Sequence, residues 1–417
     1  MESRSRKSMR LSKKGILMIN KMLGGALLVA GTTIGAGVLA VPVSTSEGGF
    51  LPTTLLYIVS WFIAVASGYC FLEVLTWTHS RKNVNMVSLA EYTLGHKSKI
   101  IMWLIYLLLF YSLLVAYFCD GGNILMRVMG CRSWDTPWIR HAMPVVFFAL
   151  FSPLLMAKTS IIDQCNRVFV FGLGIAFAMF CYFGFPLMKT DLLVRSAWGA
   201  TLKGFPILFL AFGFQNVVPT LYHYMDKNVK DVKKAIVIGS SIPLVLYIIW
   251  EAIVLGAVPI SFLEQAKVEG WTAIGALQTA LKCAAFYVAL AGEFFGFFAL
   301  ISSFIGVSLG LKDFFIDAFQ WDEKKRKVEI FFLVFVFPLV WAVFYPGIVL
   351  KCLECTGALG ETIVLGVCPV LMVWKGRYGK KRYYGKRILP GGKGTLLVMS
   401  GLVLLNLVLI AQKFLGY

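Results

Sequence analysis

Apolar runs long enough to cross a bilayer recur from residue 22 to residue 415, separated by short polar stretches. A spanning helix needs roughly 20 such residues. The pattern therefore predicts eleven spans, at 22–43, 51–78, 99–126, 138–156, 167–187, 204–225, 233–258, 284–311, 329–346, 350–374 and 395–415. Barrel strands would alternate apolar and polar residues over about 10 positions. These runs are longer and rich in Leu, Phe, Gly and Ala, so the predicted fold class is an all-α membrane protein.

Two spans differ from the rest. Span 1 is interrupted by Gly31-Thr32-Thr33-Ile34-Gly35-Ala36-Gly37 and ends at Pro42; span 6 is interrupted by Phe212-Gly213-Phe214-Gln215-Asn216 and ends near Pro219. The breaks lie five helices apart. Because five is odd, a second copy of a five-helix unit would sit upside down relative to the first. Paired interruptions of this kind point to a binding site near the membrane midplane. The expected organisation is a basic N-terminal segment 1–21, a first repeat 22–187, an inverted second repeat 204–374 and an added eleventh helix 395–415. Glycines alone would also suit close helix packing. Thr32 and Thr33 among them, and Gln215 with Asn216 at the matching place, favour a binding site.

Composition agrees with the spans. Of the 417 residues 59% are hydrophobic and 15% charged, against about 25% charged in soluble domains. The net charge of +19 raises the question of nucleic acid, which its distribution answers. The N-terminus and even-numbered connections hold 30 of the 40 Lys and Arg, and the opposite side holds 10. That asymmetry follows the positive-inside rule, placing the N-terminus in the cytoplasm and, after eleven spans, the C-terminus in the periplasm of an inner membrane. Nucleic acid is not an expected partner; the lipid bilayer is. The first apolar stretch lacks a small-residue cleavage site and is expected to be retained. Cys352 and Cys355 form a lone C-x-x-C, too little to indicate a metal or redox site, and no cofactor is expected.

Unwinding a helix in the bilayer leaves backbone groups that need partners. A zwitterion supplies them: its carboxylate suits the N–H groups where span 1 resumes at Ala36 and Gly37, and its ammonium suits carbonyls near Gly31, Thr33 and Phe212. Phe212, Phe214 and Gln215 would then surround a large neutral or aromatic side chain. Acidic residues inside spans are expensive and need a reason. Glu293, Glu73 and Glu251 meet this description and are candidate proton carriers, while Ser302 and Ser303 could help to hold a cation. The sequence presents no nucleophile, acid and base grouping of an enzyme, and no Asp-Pro-Gly-Asn metal-transporter signature in span 1.

Several segments resemble the bacterial tyrosine-specific and tryptophan-specific permeases of the hydroxy and aromatic amino acid permease family. They include A-G-T-T-I-G-A-G-V-L-A-V-P at 30–42, L-E-V at 72–74, F-G-F at 212–214, Y-M-D at 224–226, G-S-S-I-P-L-V-L-Y-I-I-W at 239–250, S-F-I-G-V-S-L-G-L-K-D-F at 303–314 and F-Y-P at 344–346. The resemblance implies a LeuT-like five-plus-five fold that imports tyrosine or tryptophan by proton symport, with Na⁺ coupling or broader neutral amino acid transport as alternatives. It also implies that Thr33, Ile34, Gly35, Ala36 and Gly37 line the substrate site with Phe212, Gly213, Phe214, Gln215 and Asn216. Gly31, Ile34, Ser302 and Ser303 match the cation position of sodium-coupled relatives. Those permeases read F-G-F-H-G where this chain has Gln215 and Asn216, an amide in place of a titratable ring. The proton would then ride on another group, with Glu293 the first candidate and Glu73 the second.

Overall fold

In the computed structural model, residues 21–35, 37–78, 85–128, 137–157, 159–269, 272–281, 286–345, 358–379 and 385–415 are described. The chain is helical. The first span is a bent pair, α1 (Lys21–Thr33) and α2 (Gly37–Thr45), with 53° between Lys21–Thr33 and Val38–Thr45. There follow α3 (Phe50–Trp77), a short α4 (Met86–Leu94), α5 (His96–Val128), α6 (Pro137–Phe151) and α7 (Thr159–Gly184). The sixth span is again divided, into α8 (Phe205–Ala211) and α9 (Val218–Tyr224). Then come α10 (Val229–Ala257), the short α11 (Ile260–Glu269) and α12 (Ala273–Leu281), α13 (Phe286–Phe319), α14 (Lys327–Phe344), α15 (Ala358–Tyr378) and α16 (Gly392–Leu415).

Among the described residues, nine helical segments are long and apolar enough to cross a membrane, and the bent α1–α2 pair makes ten. The expected fourth span corresponds to α6, which contains Pro144, and the 3₁₀ turn after it, which contains Pro153; the apolar stretch is shorter than the others. Nine apolar membrane-length helices define a multi-pass membrane protein.

The two broken spans lie at the centre. Every residue of α8 is buried, as expected of a helix apolar on all sides and enclosed by others. By contrast α7 turns Val168 and Phe171 outward, and α16 does the same with Leu397 and Val398. These large exposed apolar side chains suit a lipid-facing rim.

Local devices fix the frame. Gly49, before α3, has φ +82, and a Cβ there would lie 2.1 Å from the carbonyl oxygen of Arg195, so only glycine fits this turn. At the other end of α3, Glu73 is buried and accepts two hydrogen bonds from Arg377 of α15, each 2.6 Å. The Ile388 and Leu389 backbone N–H groups donate to the same carboxylate. One acid thus joins α3, α15 and the approach to α16. Removing one partner of such a buried pair costs about 3–5 kcal/mol, because the other charge is left uncompensated.

Candidate functional site

The described residues place both breaks at one small cavity. In the first, Ile34 and Gly35 leave the helix after Thr33, and the chain resumes helical form at Gly37. In the second, α8 stops at Ala211, Phe212 to Phe214 are non-helical, and Pro219 stands in the first turn of α9. The Tyr247 hydroxyl of α10 joins the two, 2.7 Å from the Thr33 carbonyl and 3.0 Å from that of Ala211. Each carbonyl ends a half-helix and has lost its helical partner, so a buried hydroxyl supplies part of what unwinding removed.

Thr32, Thr33, Gly35, Ala211, Gly213 and Asn216 line this cavity from the breaks. Tyr106, Phe110 and Tyr117 of α5, Val307 of α13, and Glu361, Val364 and Leu365 of α15 are among its other walls. Its volume is about 70 Å³, well below the roughly 300–1,000 Å³ of typical small-molecule sites. Thr32, Tyr106 and Asn216 also line a vestibule of about 940 Å³ that runs past Leu28, Asn85 and Trp321. The vestibule opens toward the end of the bundle where α4 lies.

The opposite end is closed. Tyr57 packs edge-on to Phe212, with ring centroids 6.4 Å apart, and its hydroxyl donates to Glu251 at 3.1 Å. Thr45, at the end of α2, donates to the other Glu251 oxygen at 2.6 Å. Above this column, Glu47 accepts from Lys267 at 2.5 Å and from Lys203 at 3.3 Å. The Lys267 hydrogen bond holds the Glu47 carboxyl below the usual carboxylate range, against a smaller opposing effect of burial. Arg195 donates to the carbonyl of Ser46 in the same loop.

The expected site residues divide into three groups. Thr33, Gly35, Gly213 and Asn216 line the cavity. Ile34 is buried, with its carbonyl accepting from Ser303 at 3.0 Å, and a Cβ on Gly35 would lie 3.0 Å from the same hydroxyl. Gly37 begins α2, and Ala36 lies outside the described residues, as do Cys352 and Cys355.

Phe212, Phe214 and Gln215 are not among the residues that line the cavity, and each has other contacts. Phe212 packs on Tyr57 and Tyr247. Phe214 packs on Gly68 of α3, where a Cβ would lie 3.1 Å from its ring. Gln215 is spent on backbone, its Nε2 donating to the Ala64 carbonyl and its Oε1 accepting from the Phe214 N–H. The reason is the sharpness of the break: it presents Gly213 and Asn216 inward and rotates the bulky residues between them toward α3.

The acids also have places of their own. Glu293 accepts from Gln278 at 2.5 Å and lies 3.3 Å from Arg127, near the start of α13. Glu73 is held in the Arg377 clamp and Glu251 in the closed column. None of the three lines the cavity. Ser302 donates to Asn166 at 2.8 Å. The acid that does line the cavity, Glu361, was missed, although the rule that singled out Glu73 applies to it equally. Tyr247 lay inside a quoted motif without a role, and Tyr106 and Tyr117 carried no signal beyond being apolar-span aromatics.

A membrane bundle with two facing helix breaks around one small, partly polar cavity has the architecture of a solute transporter. Residues 18–409 match the tryptophan/tyrosine permease family, and the chain belongs to that family. It is 31% identical over 386 residues to "Tyrosine-specific transport system 1" of Haemophilus influenzae, covering 91% of this chain and 94% of that one. It is 28% identical to the "Tryptophan-specific transport protein" of the same organism, covering 84% and 86%. Its fold resembles that of MhsT, solved in complex with L-phenylalanine, with a TM-score of 0.63 at 16% identity over 94% of this chain and 98% of that chain. This likeness of fold supports the LeuT-like helical architecture that the resemblance implies.

Proposed function

We propose that this chain imports an aromatic amino acid, tyrosine or tryptophan, across the inner membrane by proton symport with alternating access. The observation that carries this reading is the Tyr247 hydroxyl joining the Thr33 and Ala211 carbonyls beside a cavity that both breaks line. Two half-helix ends facing one space present N–H groups to a carboxylate and carbonyls to an ammonium. Tyr106, Phe110 and Tyr117 on one wall suit an aromatic side chain. The names of the tyrosine-specific and tryptophan-specific relatives support that choice of substrate.

Eleven spans, arranged as repeats 22–187 and 204–374 plus the helix at 395–415, account for the paired breaks. With the N-terminus in the cytoplasm, the vestibule beside α4 faces inward, and the Glu47–Lys267 end faces the periplasm. The conformation described here is then open to the cytoplasm and closed outside. Import requires the Glu47 contacts to part and the vestibule to close in alternation.

The test is uptake by purified protein in proteoliposomes, using a panel of labelled amino acids under imposed proton or sodium gradients. The reading expects tyrosine or tryptophan to accumulate with an inward proton gradient. Accumulation that follows only a sodium gradient would shift the coupling to the Ser302 and Ser303 region. Accumulation of glutamine or leucine in preference to aromatics would contradict the substrate assignment.

A further inference from the structure

The Glu361 carboxylate stands beside the second break without a partner. Its Oε1 fills the space where a Cβ on Gly213 would be, 1.8 Å from that ideal position, so the bare Gly213 backbone makes room for it. Among the described residues it has no hydrogen bond and no ion pair. The groups facing it are few. Tyr106 and Tyr117 of α5 are titratable and line the same cavity as Glu361. α8 has no titratable residue, and α16 brings only the amide of Asn406 to this level. Across the cavity Asn216 Oδ1 is buried and also lacks a partner. Among the described residues no Lys, Arg or His forms an ion pair with it.

The position is built. Immediately after Glu361, the segment Thr362–Val367 is wound as a π-helix, a rare form that concentrates at functional sites. Side chains from two other helices support it: Asn406 of α16 donates to Thr362 Oγ1 at 2.7 Å, and Ser67 of α3 donates to the Leu365 carbonyl. A charge at this depth is expensive and calls for a reason. Glu73, Glu251 and Glu293 have theirs in fixed partners.

We propose that Glu361 carries the coupling proton of the transport cycle. This rests on the proton-symport reading given above. With the acid protonated, the site is neutral and accepts a zwitterion without a net charge being buried. After the substrate leaves toward the vestibule, the carboxyl O–H bond breaks. The proton passes to water along the route lined by Tyr106 and Asn216, which border both spaces. The carboxylate takes up a new proton when the site next opens to the other side.

The experiment compares the parent, Glu361→Gln and Glu361→Asp as purified proteins in proteoliposomes, using labelled tyrosine or tryptophan and an inward gradient of one pH unit. One proton per substrate permits accumulation of up to about tenfold. The parent is expected to approach this, whereas Glu361→Gln, which cannot release a proton, should stay at an inside-to-outside ratio near one. Glu361→Asp should still accumulate, with the pH dependence of its uptake displaced from the parent's. Accumulation by Glu361→Gln at the parent's level would overturn the assignment. So would an unshifted pH profile for Glu361→Asp, which also decides the matter if Glu361→Gln fails to insert. If the parent itself ignores the proton gradient and follows sodium, the symport reading fails with it. A proton-driven parent with a proton-driven Glu361→Gln removes only Glu361.

Discussion

The Tyr247 hydroxyl lies 2.7 Å from the carbonyl oxygen of Thr33, the last residue of α1, and reaches the equivalent end of α8 as well. Two helix ends that would otherwise hold unsatisfied carbonyls in the bilayer interior are thereby tied to one side chain on a third helix. Tyr247→Phe keeps the ring, with its contacts to Tyr57 and Phe212, and deletes only the hydroxyl. A lost hydrogen bond of this kind costs about 0.5–1.5 kcal/mol, and more where the acceptors stay buried. Uptake should fall several-fold at equal membrane abundance, with a modest drop in thermal stability. Uptake at the parent's level would show that the bridge is dispensable.

A side chain at Gly213 should displace the Glu361 carboxylate from its place beside the break. A Cβ there would meet Glu361 Oε1 at 1.8 Å and the Leu210 carbonyl at 3.2 Å. Gly213→Ala is expected to abolish uptake while the protein still reaches the membrane. Gly394→Ala, with nothing within 4 Å of the added carbon, should behave as the parent. Uptake assays on membranes with matched protein levels separate the two.

Phe214 is expected to govern stability and to leave specificity alone. Its ring is fully buried against Gly68. Phe214→Ala should cost about 3–5 kcal/mol, as core Phe truncations do, and lower the melting temperature in detergent. The pattern of competition among tyrosine, tryptophan, phenylalanine and leucine should remain the parent's. A changed pattern would return Phe214 to the substrate site.

Gly213 and Phe214 mark how far the sequence could be read. The breaks were legible because glycine and polar residues interrupt apolar runs at corresponding places; of the residues named there, Thr33, Gly35, Gly213 and Asn216 line the cavity. The facing of individual residues within a break was not legible. No helical period runs through Phe212 to Gln215, so nothing in the order of residues says that Phe214 turns to α3. The acids posed a different difficulty. That Glu73 is neutralised by Arg377 depends on a contact spanning 304 positions, and Arg377 reads in sequence as one more cytoplasmic basic residue. Glu361 lies midway along the expected span 350–374, in Gly357-Ala358-Leu359-Gly360-Glu361, and was overlooked because that span carries no break of the kind that marked spans 1 and 6.

The Glu73–Arg377 clamp should be essential to folding and silent in coupling. Glu73→Gln leaves Arg377 buried without its counter-charge and is expected to reduce membrane abundance sharply, consistent with about 3–5 kcal/mol for a broken buried pair. Replacing both residues with apolar ones, Glu73→Leu with Arg377→Met, should restore part of that abundance. No recovery in the double variant would show that the hydrogen bonds from Ile388 and Leu389 to Glu73 carry most of the effect.

Outer closure should weaken in acid. The Lys267 hydrogen bond lowers the Glu47 carboxyl below its usual range in the closed form, so closure is favoured by an ionised Glu47. That contribution is present above the unpaired carboxylate's ordinary titration range and is lost as the pH falls through the lowered value. Acidification on that face alone should therefore increase access of outside substrate to the site. Glu47→Gln should remove this part of the pH dependence, measured as the change in half-saturating substrate between neutral and acidic outside medium. An identical dependence in parent and variant would assign it elsewhere.

The most direct measurement for the central claim, that the two breaks form one site for an aromatic amino acid, is equilibrium binding to the purified protein. Labelled tyrosine or tryptophan should bind saturably. Unlabelled aromatic amino acids should displace it, while tyramine and tryptamine, which lack the carboxylate, should not. Gly213→Ala should bind none. Equal binding by Gly213→Ala, or full displacement by the decarboxylated amines, would contradict the account.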